Sequence, residues 1–281
     1  MIQERALPGR DLGEFRVTAI SDGYLQAGLE LLSNIEADEA LGLQAHAGVL
    51  DPTAIHINCY LIQGRGRTVL VDAGAGGFFK PRAGTLMANL ALAGVPASEI
   101  DTILLTHAHP DHVGGLLDAS GNMAFPGAEL VVHEQEFDFW QDDANLSRAS
   151  EDARSHFALA RDVFDRYRRQ TRRFRGAQVL RGISAQPLPG HTVGHCGYRI
   201  ESGDRGLLVW GDTVHFPHIQ IARPDVSIAF DQEGLVAAST RSSLLDRVSA
   251  ENLLVAGMHL GEAGFARIVR GARAYELCYE R

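Results

Sequence analysis

The feature that most constrains this chain is a run of polar, metal-binding side chains directly after an apolar segment. Ile103-Leu104-Leu105 is followed by Thr106-His107-Ala108-His109-Pro110-Asp111-His112, and Gly114-Gly115 comes next. A strand end gains nothing from several imidazoles, because each buried ring nitrogen costs free energy unless it has a partner. A metal ion supplies such partners. Alternation along an extended loop places His107 and His109 on one side and sends Asp111 and His112 elsewhere, so one segment can hold two ions.

Composition is consistent with an enzyme that acts on small molecules. The 281 residues are 45% hydrophobic, which is ample for a packed core, and we expect residues 1–281 to form a single domain. The net charge of -9 argues against general affinity for nucleic acid or for anionic membranes. The arginine-rich run from Arg166 to Arg175 is typical of a solvated helix C-terminus.

Cysteine usage and the first residues favour a reduced compartment. Cys59, Cys196 and Cys278 are widely spaced and form no CxxC pattern, so neither a disulfide framework nor a thiolate zinc site is indicated. The segment MIQERALPGRDLGEF contains no apolar stretch of signal-peptide length, and no apolar run approaches a membrane span. We therefore expect a cytoplasmic protein.

Hydrophobic periodicity predicts α/β content, with the histidine cluster at a strand end. Strands at 55–62 and 68–71 form a hairpin, and a helix at 85–93 leads into a strand at 101–106. Open α/β sheets usually place ligands just past such a strand. Further predicted elements are strands at 15–20, 129–132, 179–180, 184–188, 197–200, 206–210 and 252–256, one helix from 147 to about 173, and a helix at 235–248. Residues 27–54 give no clear pattern.

Three further histidine or aspartate residues follow predicted strands. His191 lies in Pro189-Gly190-His191-Thr192, Asp212 lies in Trp210-Gly211-Asp212-Thr213, and His259 follows Gly257-Met258. The strand and turn at 69–74 resemble those at 208–213, since each delivers an aspartate into a glycine-containing turn. This similarity suggests two half-folds that face each other.

The full set of these residues resembles the ligand pattern of the metallo-β-lactamase superfamily. The set is His107, His109, Asp111, His112, His191, Asp212 and His259, and the resemblance runs over most of the chain. The amino-acid sequence of residues 72–77, 109–115 and 137–140 is most similar to that of the methyl parathion hydrolase and acyl-homoserine-lactone lactonase branch. The resemblance implies an α/β fold of the four-layer αββα sandwich type, with a dinuclear metal site at one edge.

The resemblance also implies how the metals are held. His107, His109 and His191 would hold one ion, while Asp111, His112 and His259 would hold the other, with Asp212 bridging both. Imidazole and carboxylate ligands without thiolate suit zinc, with iron, cobalt or manganese as alternatives. A glutamate in place of His109 would suggest the diiron flavoproteins, and a cysteine in place of Asp212 the best-known zinc β-lactamases; this chain has neither.

The implied reaction is attack of a metal-bridged hydroxide on a lactone, an ester or an activated phosphotriester. Asp111 and Asp212 would position the nucleophile and accept protons. Many lactonases of the family have a tyrosine three residues beyond the bridging aspartate, and this chain has His215 there. His215 is therefore a candidate for assisting at the substrate oxygen.

Other candidates support the ligands or shape the pocket. Asp72, at a strand end, suits a carboxylate that orients a metal-bound histidine, and His195 lies in the turn that carries His191. Trp140, with Phe137 and Phe139, either lines an apolar substrate pocket or packs in the core.

The ligand pattern alone leaves other functions open. Within the hydrolases the alternatives are a thioesterase of the glyoxalase II kind and a β-lactamase. Outside them stand a nuclease of the ribonuclease Z kind, which should bind RNA in a salt-sensitive manner, and a metal-binding protein without catalysis. We expect a small-molecule substrate, no nucleic acid or membrane partner, and a homodimer, because related enzymes are often dimers.

Overall fold

The computed structural model describes residues 7–272 and 274–280, which form β-sheets and flanking helices. The strands are β1 (Gly9–Leu12), β2 (Phe15–Gln26), β3 (Leu32–Ser33), β4 (Ala54–Gly64), β5 (Arg67–Val71), β6 (Thr102–Leu104), β7 (Glu129–His133), β8 (Thr171–Phe174), β9 (Gln178–Leu180), β10 (Ile183–Pro187), β11 (Cys196–Ser202), β12 (Arg205–Val209), β13 (Ser227–Ile228), β14 (Leu254–Ala256), β15 (Phe265–Arg270) and β16 (Tyr275–Tyr279). The helices are α1 (Ala37–His46), α2 (Leu86–Leu92), α3 (Pro110–Val113), α4 (Glu134–Gln141), α5 (Asp143–Arg148), α6 (Glu151–Arg166), α7 (Pro217–Gln220) and α8 (Gly234–Ala250).

Two large sheets dominate the described residues. The first has the order β1-β2-β4-β5-β6-β7-β8, and the second has the order β16-β15-β14-β12-β11-β10-β9. Strands β4 and β5 form the predicted hairpin, and β5 to β8 then pair in parallel. Parallel neighbours end at the same edge of a sheet, so the loops after β5 and β6 lie side by side.

The side-chain alternation of the strands builds the layers. In β5, Val69 and Val71 belong to the core between the two sheets, whereas Leu70 belongs to the core beneath α2 and α6. In β12, Leu207 and Val209 face the same inter-sheet core, and Leu208 packs with residues of α8. Helices therefore cover both outer faces, and the predicted αββα sandwich is confirmed.

The similarity between residues 69–74 and 208–213 has a structural counterpart. Strand β5 is the second strand of the β4–β5 hairpin and pairs in parallel with β6. Strand β12 is likewise the second strand of a hairpin, with β11, and pairs in parallel with β14. The two aspartate-bearing turns thus occupy equivalent positions in the two sheets.

The helix predicted from 147 to about 173 is present only over Glu151–Arg166, and the prediction is wrong for its last residues. Helix α6 begins after Ser150, whose side chain accepts a hydrogen bond from the Ala153 amide at 3.3 Å, and it ends at Arg166. Residues Thr171–Phe174 then form β8, which pairs in parallel with β7 and buries Phe174. Arginine-rich segments favour helix locally, so here pairing with β7 overrides the local propensity.

The other predicted elements are present with bounds shifted by no more than two residues, except that β2 continues to Gln26. Residues 27–54 contain α1 and the short strand β3, which pairs with β13. Hydrophobic periodicity does not predict β15 and β16. No helix in the described part of the chain combines the length and apolar character that spanning a bilayer requires.

Candidate metal centre

Four strands deliver the predicted ligands to one edge of the sandwich. The His107 cluster follows β6, His191 follows β10, Asp212 follows β12, and His259 follows β14. The structure brings all seven predicted ligand residues together in two adjoining groups. All of them are buried except His109, which is partly exposed.

Close backbone packing fixes the short helix that carries Asp111 and His112. Helix α3 begins with Pro110, whose fixed φ suits a first helical turn. A Cβ atom on Gly115 would lie 1.9 Å from the carbonyl oxygen of Ala73, so only glycine allows the loop after β5 to approach this closely. The Ala73 amide donates to the His112 carbonyl at 2.8 Å across the same contact.

The first group, which we call the three-imidazole pocket, consists of His107, His109 and His191. The distance from His107 Nε2 to His109 Nδ1 is 3.1 Å, from His109 Nδ1 to His191 Nε2 2.9 Å, and from His107 Nε2 to His191 Nε2 3.1 Å. Nitrogen ligands of tetrahedral zinc lie about 2.0–2.1 Å from the ion and therefore about 3.3 Å from one another. The three nitrogens are spaced as ligands of one ion would be.

The second group, which we call the carboxylate pocket, consists of Asp111, His112, His259 and Asp212. His112 Nε2 lies 3.4 Å from Asp111 Oδ2 and 3.2 Å from Asp212 Oδ2. His259 Nε2 lies 3.7 Å and 3.0 Å from the same two oxygens. This pocket offers two imidazoles and two carboxylates, a donor set that suits a second divalent ion.

Asp212 joins the two pockets. Its Oδ2 atom lies 3.7 Å from His107 Nε2 and 3.4 Å from His191 Nε2, in addition to its contacts in the carboxylate pocket. Its Oδ1 atom is buried and has no hydrogen-bond partner among the residues that the structure describes. A buried carboxylate oxygen without a donor is costly unless a cation is present, so the residues fit a dinuclear centre.

The two pockets differ in charge. Burial is the main factor that lowers the pKa of His107, which therefore presents a neutral ring nitrogen. Burial also disfavours the charged form of His112, but the carboxylates around it outweigh burial and raise its pKa. Those carboxylates belong to Asp212, Asp111 and Asp72. The carboxylate pocket thus requires a positive charge, which a metal ion can supply.

Asp72 contacts His112, a placement that suits the predicted role of orienting a metal-bound histidine. Its Oδ2 atom lies 2.7 Å from His112 Nδ1, and its two oxygens also accept from the Thr106 amide at 2.8 Å and the Thr106 hydroxyl at 2.7 Å. Asp72 adopts a φ of 57°, which is unusual for a residue other than glycine. The strain is confined to a turn that positions a ligand.

His195 fixes the backbone that carries Asp212. Its Nδ1 atom donates to the Leu188 carbonyl at 2.7 Å, which leaves Nε2 to accept from the Asp212 amide at 2.9 Å. Burial lowers the pKa of His195 to about 3, in keeping with a neutral ring that donates and accepts. A Cβ on Gly211 would lie 2.3 Å from His195 Nε2, so glycine is required before the aspartate.

A buried glutamate that sequence reasoning missed links two ligand loops. Glu136 accepts hydrogen bonds from the Ala108 amide at 2.9 Å, the Thr192 hydroxyl at 2.6 Å, the Gly194 amide at 3.2 Å and the Trp140 indole at 2.7 Å. It therefore ties the loop of His107 and His109 to the loop of His191. In the sequence, the one indication of this contact is that Glu136 precedes Trp140 by four residues, a spacing that places both side chains on one face of a helix.

The aromatic residues proposed for a substrate pocket lie mainly in the core beneath α6. Trp140 is only 2% exposed, and its ring packs 4.7 Å from Phe157 and 5.7 Å from His109. Phe137 lies 4.8 Å from Phe164, and Phe139 lies 5.6 Å from Phe157. Trp140 contacts the centre through Glu136 and His109, whereas the rings of Phe137 and Phe139 contact other aromatic rings of the core.

His215 lies at the junction of the two pockets. Its Nε2 atom is 3.3 Å from Asp212 Oδ2, and its ring stacks 5.1 Å from that of His259. Its Nδ1 atom is buried without a hydrogen-bond partner within the described part of the chain. Burial lowers the pKa of His215 to about 4, so the ring is neutral near pH 7.

An αββα sandwich with two adjoining His/Asp pockets at one edge defines the class of dinuclear metal-dependent hydrolases. The chain belongs to the metallo-beta-lactamase superfamily, whose family model matches residues 52–259.

Among curated proteins, the chain is similar to the uncharacterized protein YobT of Bacillus subtilis, with 29% identity over 57% of this chain. That match spans 63% of the Bacillus protein's length. Among solved structures, it is similar to AidC, a dizinc quorum-quenching lactonase in complex with the product N-hexanoyl-L-homoserine, at 25% identity, a TM-score of 0.92 and 98% coverage of both chains. The hydrolase AbOPH shares the fold, with a TM-score of 0.92, 23% identity and 99% coverage of both chains.

Proposed function

We propose that this protein hydrolyses neutral carboxylic esters, with lactones as the preferred substrates. The observation that carries the proposal is the convergence of all seven predicted ligands in two pockets that share Asp212. The similarity to AidC over 98% of both chains supports the lactone preference. Aryl esters and activated phosphotriesters are the secondary substrates that we expect.

The chain's own residues would hold and orient the reactants. Two divalent ions, most suitably zinc, would supply Lewis acidity that lowers the pKa of a water molecule and polarises the carbonyl oxygen. Asp212, which faces both pockets, and Asp111 would orient the attacking water and accept its proton. Burial of both carboxylates keeps bulk water from competing for these contacts.

His215 would act at the substrate oxygen. It is neutral near pH 7, and its Nδ1 atom is free of protein partners among the described residues. Because Nε2 faces the Asp212 carboxylate at 3.3 Å, the neutral ring carries its proton on Nε2. That N–H lies at the junction of the two pockets and would offer a hydrogen bond to charge that develops on the substrate oxygen. We expect His215→Phe to lower kcat on a lactone on the order of a hundredfold, and His215→Tyr to retain more activity.

Two partly exposed aromatic rings would contact an apolar acyl group. Phe230 is 37% exposed and lies 6.0 Å from His215, while Phe78 is 39% exposed and lies 5.7 Å from His156, whose ring is 6.0 Å from His109. Such rings favour neutral substrates with an alkyl or aryl portion.

The arginine-rich segment gives little support to a nuclease. Arg166, Arg168, Arg172, Arg173 and Arg175 each form an ion pair with an aspartate or glutamate. Arginines neutralised in this way offer few charges to a phosphate backbone. We accordingly propose a small-molecule substrate.

The test is a turnover panel on protein loaded with zinc, cobalt, manganese or iron. The panel contains N-acyl homoserine lactones, simple lactones, aryl esters, thioesters, phosphotriesters, β-lactams and RNA. We expect kcat/KM to be highest for a lactone, and we expect elemental analysis to find two metal ions per chain.

The test variant is Asp212→Asn, which alters the shared ligand. Its matched control is Asp204→Asn, which removes the same charge from the exposed β11–β12 turn. Only the first should abolish turnover. A thioester, a β-lactam or RNA as the best substrate would contradict the proposal, and so would a two-metal protein that is inactive on the whole panel.

A further inference from the structure

A buried carboxylate contacts the three-imidazole pocket from outside, as Asp72 contacts the carboxylate pocket. Asp231 follows β13, and its fully buried side chain accepts a hydrogen bond from His191 Nδ1 at 2.9 Å. The Ile228 amide donates to the other oxygen of Asp231 at 3.2 Å. Backbone hydrogen bonds from Gln232 to His191 and from Glu233 to Gly190 hold the two loops together. Asp231 thus matches Asp72, which stands behind His112 in the carboxylate pocket.

A completely buried arginine lies behind Asp231. Arg241, on α8, donates to the carbonyl oxygens of Thr213 at 2.7 Å, Pro224 at 2.8 Å and Val226 at 2.6 Å. Its Nη2 atom lies 3.8 Å from Asp231 Oδ2 and has no hydrogen-bond partner among the described residues. The nearest negative charge to this cation is therefore the carboxylate that contacts His191.

The stability of an ion pair with Asp231 does not by itself explain the position of Arg241. It lies on the buried face of α8 with Ala237, Leu244, Leu245 and Val248, where an apolar side chain would pack without desolvating a charge. Buried ion pairs usually contribute no more to stability than well-packed apolar residues of similar volume. The contacts of Arg241 indicate instead that it holds Asp231 and Thr213 in place.

Arg241 connects two ligand loops of the second sheet, the loop of His191 and the loop of Asp212. Through Asp231 it reaches His191, and through the Thr213 carbonyl it holds the residue next to Asp212. The loop of His191 also lies directly on α8, since a Cβ on Gly190 would be 2.2 Å from the Ala237 amide nitrogen. The helix, the carboxylate and the two loops therefore form one contiguous packed unit.

We propose that Asp231 and Arg241 are positioning residues, with Asp231 fixing the ring of His191 and Arg241 fixing Asp231 relative to the Asp212 loop. A carboxylate hydrogen-bonded to the far nitrogen of a metal-bound histidine sets its tautomer and orientation. The inference rests on the dinuclear centre of the proposed function. Because it concerns metal binding, it can be tested without a substrate.

The experiment measures the affinity of each pocket separately in the full-length protein. Cadmium NMR can resolve an ion held mainly by imidazoles from one held partly by carboxylates, and chelator competition gives the affinity. We expect Asp231→Asn to weaken the three-imidazole pocket roughly 10- to 100-fold and to leave the carboxylate pocket nearly unchanged. Asp72→Asn, the matched variant behind His112, should do the reverse.

Arg241→Met removes the charge but keeps a long apolar side chain, and Arg241→Lys keeps the charge. We expect Arg241→Met to weaken the three-imidazole pocket more than the carboxylate pocket, because it frees Asp231 together with the loop of the shared ligand Asp212, and Arg241→Lys to restore part of the affinity. Arg247→Met, on the exposed face of the same helix, should leave both pockets at wild-type affinity.

Several results would overturn the inference. Wild-type cadmium spectra and affinities in both Asp231→Asn and Arg241→Met would do so, and so would equal weakening of both pockets, which a general loss of folding produces. If Arg241→Met does not fold, Arg241→Lys decides, because an ammonium group cannot reach all three carbonyl oxygens and Asp231 as the guanidinium does. Wild-type affinity of the three-imidazole pocket in that variant overturns the role of Arg241. Wild-type protein that binds no metal overturns the proposed function as well, whereas two bound ions without ester turnover overturn only the proposed function.

Discussion

The two sheets contribute to the metal centre in different ways. The first sheet supplies His107, His109, Asp111 and His112 within six residues, all from the loop and short helix after β6. The second sheet supplies single ligands from three separate strand ends, after β10, β12 and β14. One half is therefore fixed by local chain geometry, and the other depends on tertiary packing that brings distant loops together.

Each half has its own means of holding its ligands. In the first sheet, Asp72 at the end of β5 reaches across to Thr106 and His112 at the end of the parallel neighbour β6. In the second sheet, the support for His191 comes from Asp231, forty residues further along the chain. Residues that span the two halves, Asp212 and Glu136, should therefore have the strongest influence on the centre as a whole.

Replacement of the shared ligand should have the largest effect. Asp212 Oδ2 faces both pockets. In Asp212→Asn, an amide group replaces the carboxylate and the negative charge is lost, so both pockets would lose an anionic ligand. We expect affinity for both metals to fall by more than the roughly 10- to 100-fold typical of residues behind a ligand. Elemental analysis after dialysis against a chelator measures the loss. If one ion were retained at wild-type affinity, the two pockets would bind their ions independently of the shared ligand.

The same contrast explains what the sequence could predict. The histidine cluster is identifiable because its ligands are adjacent and follow an apolar strand, and β4 and β5 because two strand-like apolar runs flank a glycine-containing turn. His191, Asp212 and His259 are isolated in sequence, and only the pattern of the whole family connected them. That they lie together is a property of the sandwich, in which strand ends of both sheets meet at one edge.

Residues that act through long-range contacts could not be predicted. Asp231 lies in an irregular segment, and nothing local indicates that it contacts His191. Arg241 lies in a helix of mixed composition, where an arginine is ordinarily a surface residue. The arginine-rich sequence of strand β8 predicts helix because it lacks an alternating apolar pattern, and only pairing with β7 makes it a strand.

Weakening the link between the two ligand loops should have an intermediate effect. One Glu136 oxygen accepts from Ala108 and Trp140, and the other accepts from Thr192 and Gly194. In Glu136→Gln, an amide nitrogen replaces one of these oxygens and is best placed beside Thr192, whose hydroxyl can turn to accept, so that the Gly194 amide loses its partner. An unsatisfied buried donor costs about 1–3 kcal/mol, so we expect the free energy of unfolding to fall by that amount in urea titrations. Affinity of the three-imidazole pocket should fall more than that of the carboxylate pocket.

Glu151→Gln is the control for this variant, because it removes the same charge from the exposed start of α6 and reaches neither loop. Its unfolding and metal affinities should match those of the wild type. If Glu136→Gln also matched the wild type in metal affinity, the two loops would be held together by packing alone, and the coupling between the halves would reside in Asp212.

The smallest effect is expected from the residue that supports Glu136. Trp140→Phe removes the indole donor, while the Ala108 amide still occupies the same glutamate oxygen, so the lost hydrogen bond should cost on the order of 1 kcal/mol of unfolding free energy. Trp210→Phe is the matched comparison, because the Trp210 indole is equally buried but donates no hydrogen bond within the described residues. Both variants lose ring volume, so the excess destabilisation of Trp140→Phe in urea measures the hydrogen bond to Glu136. Equal destabilisation would mean that Trp140 serves only to fill the core, and that Glu136 joins the two halves of the centre without the hydrogen bond from the Trp140 indole.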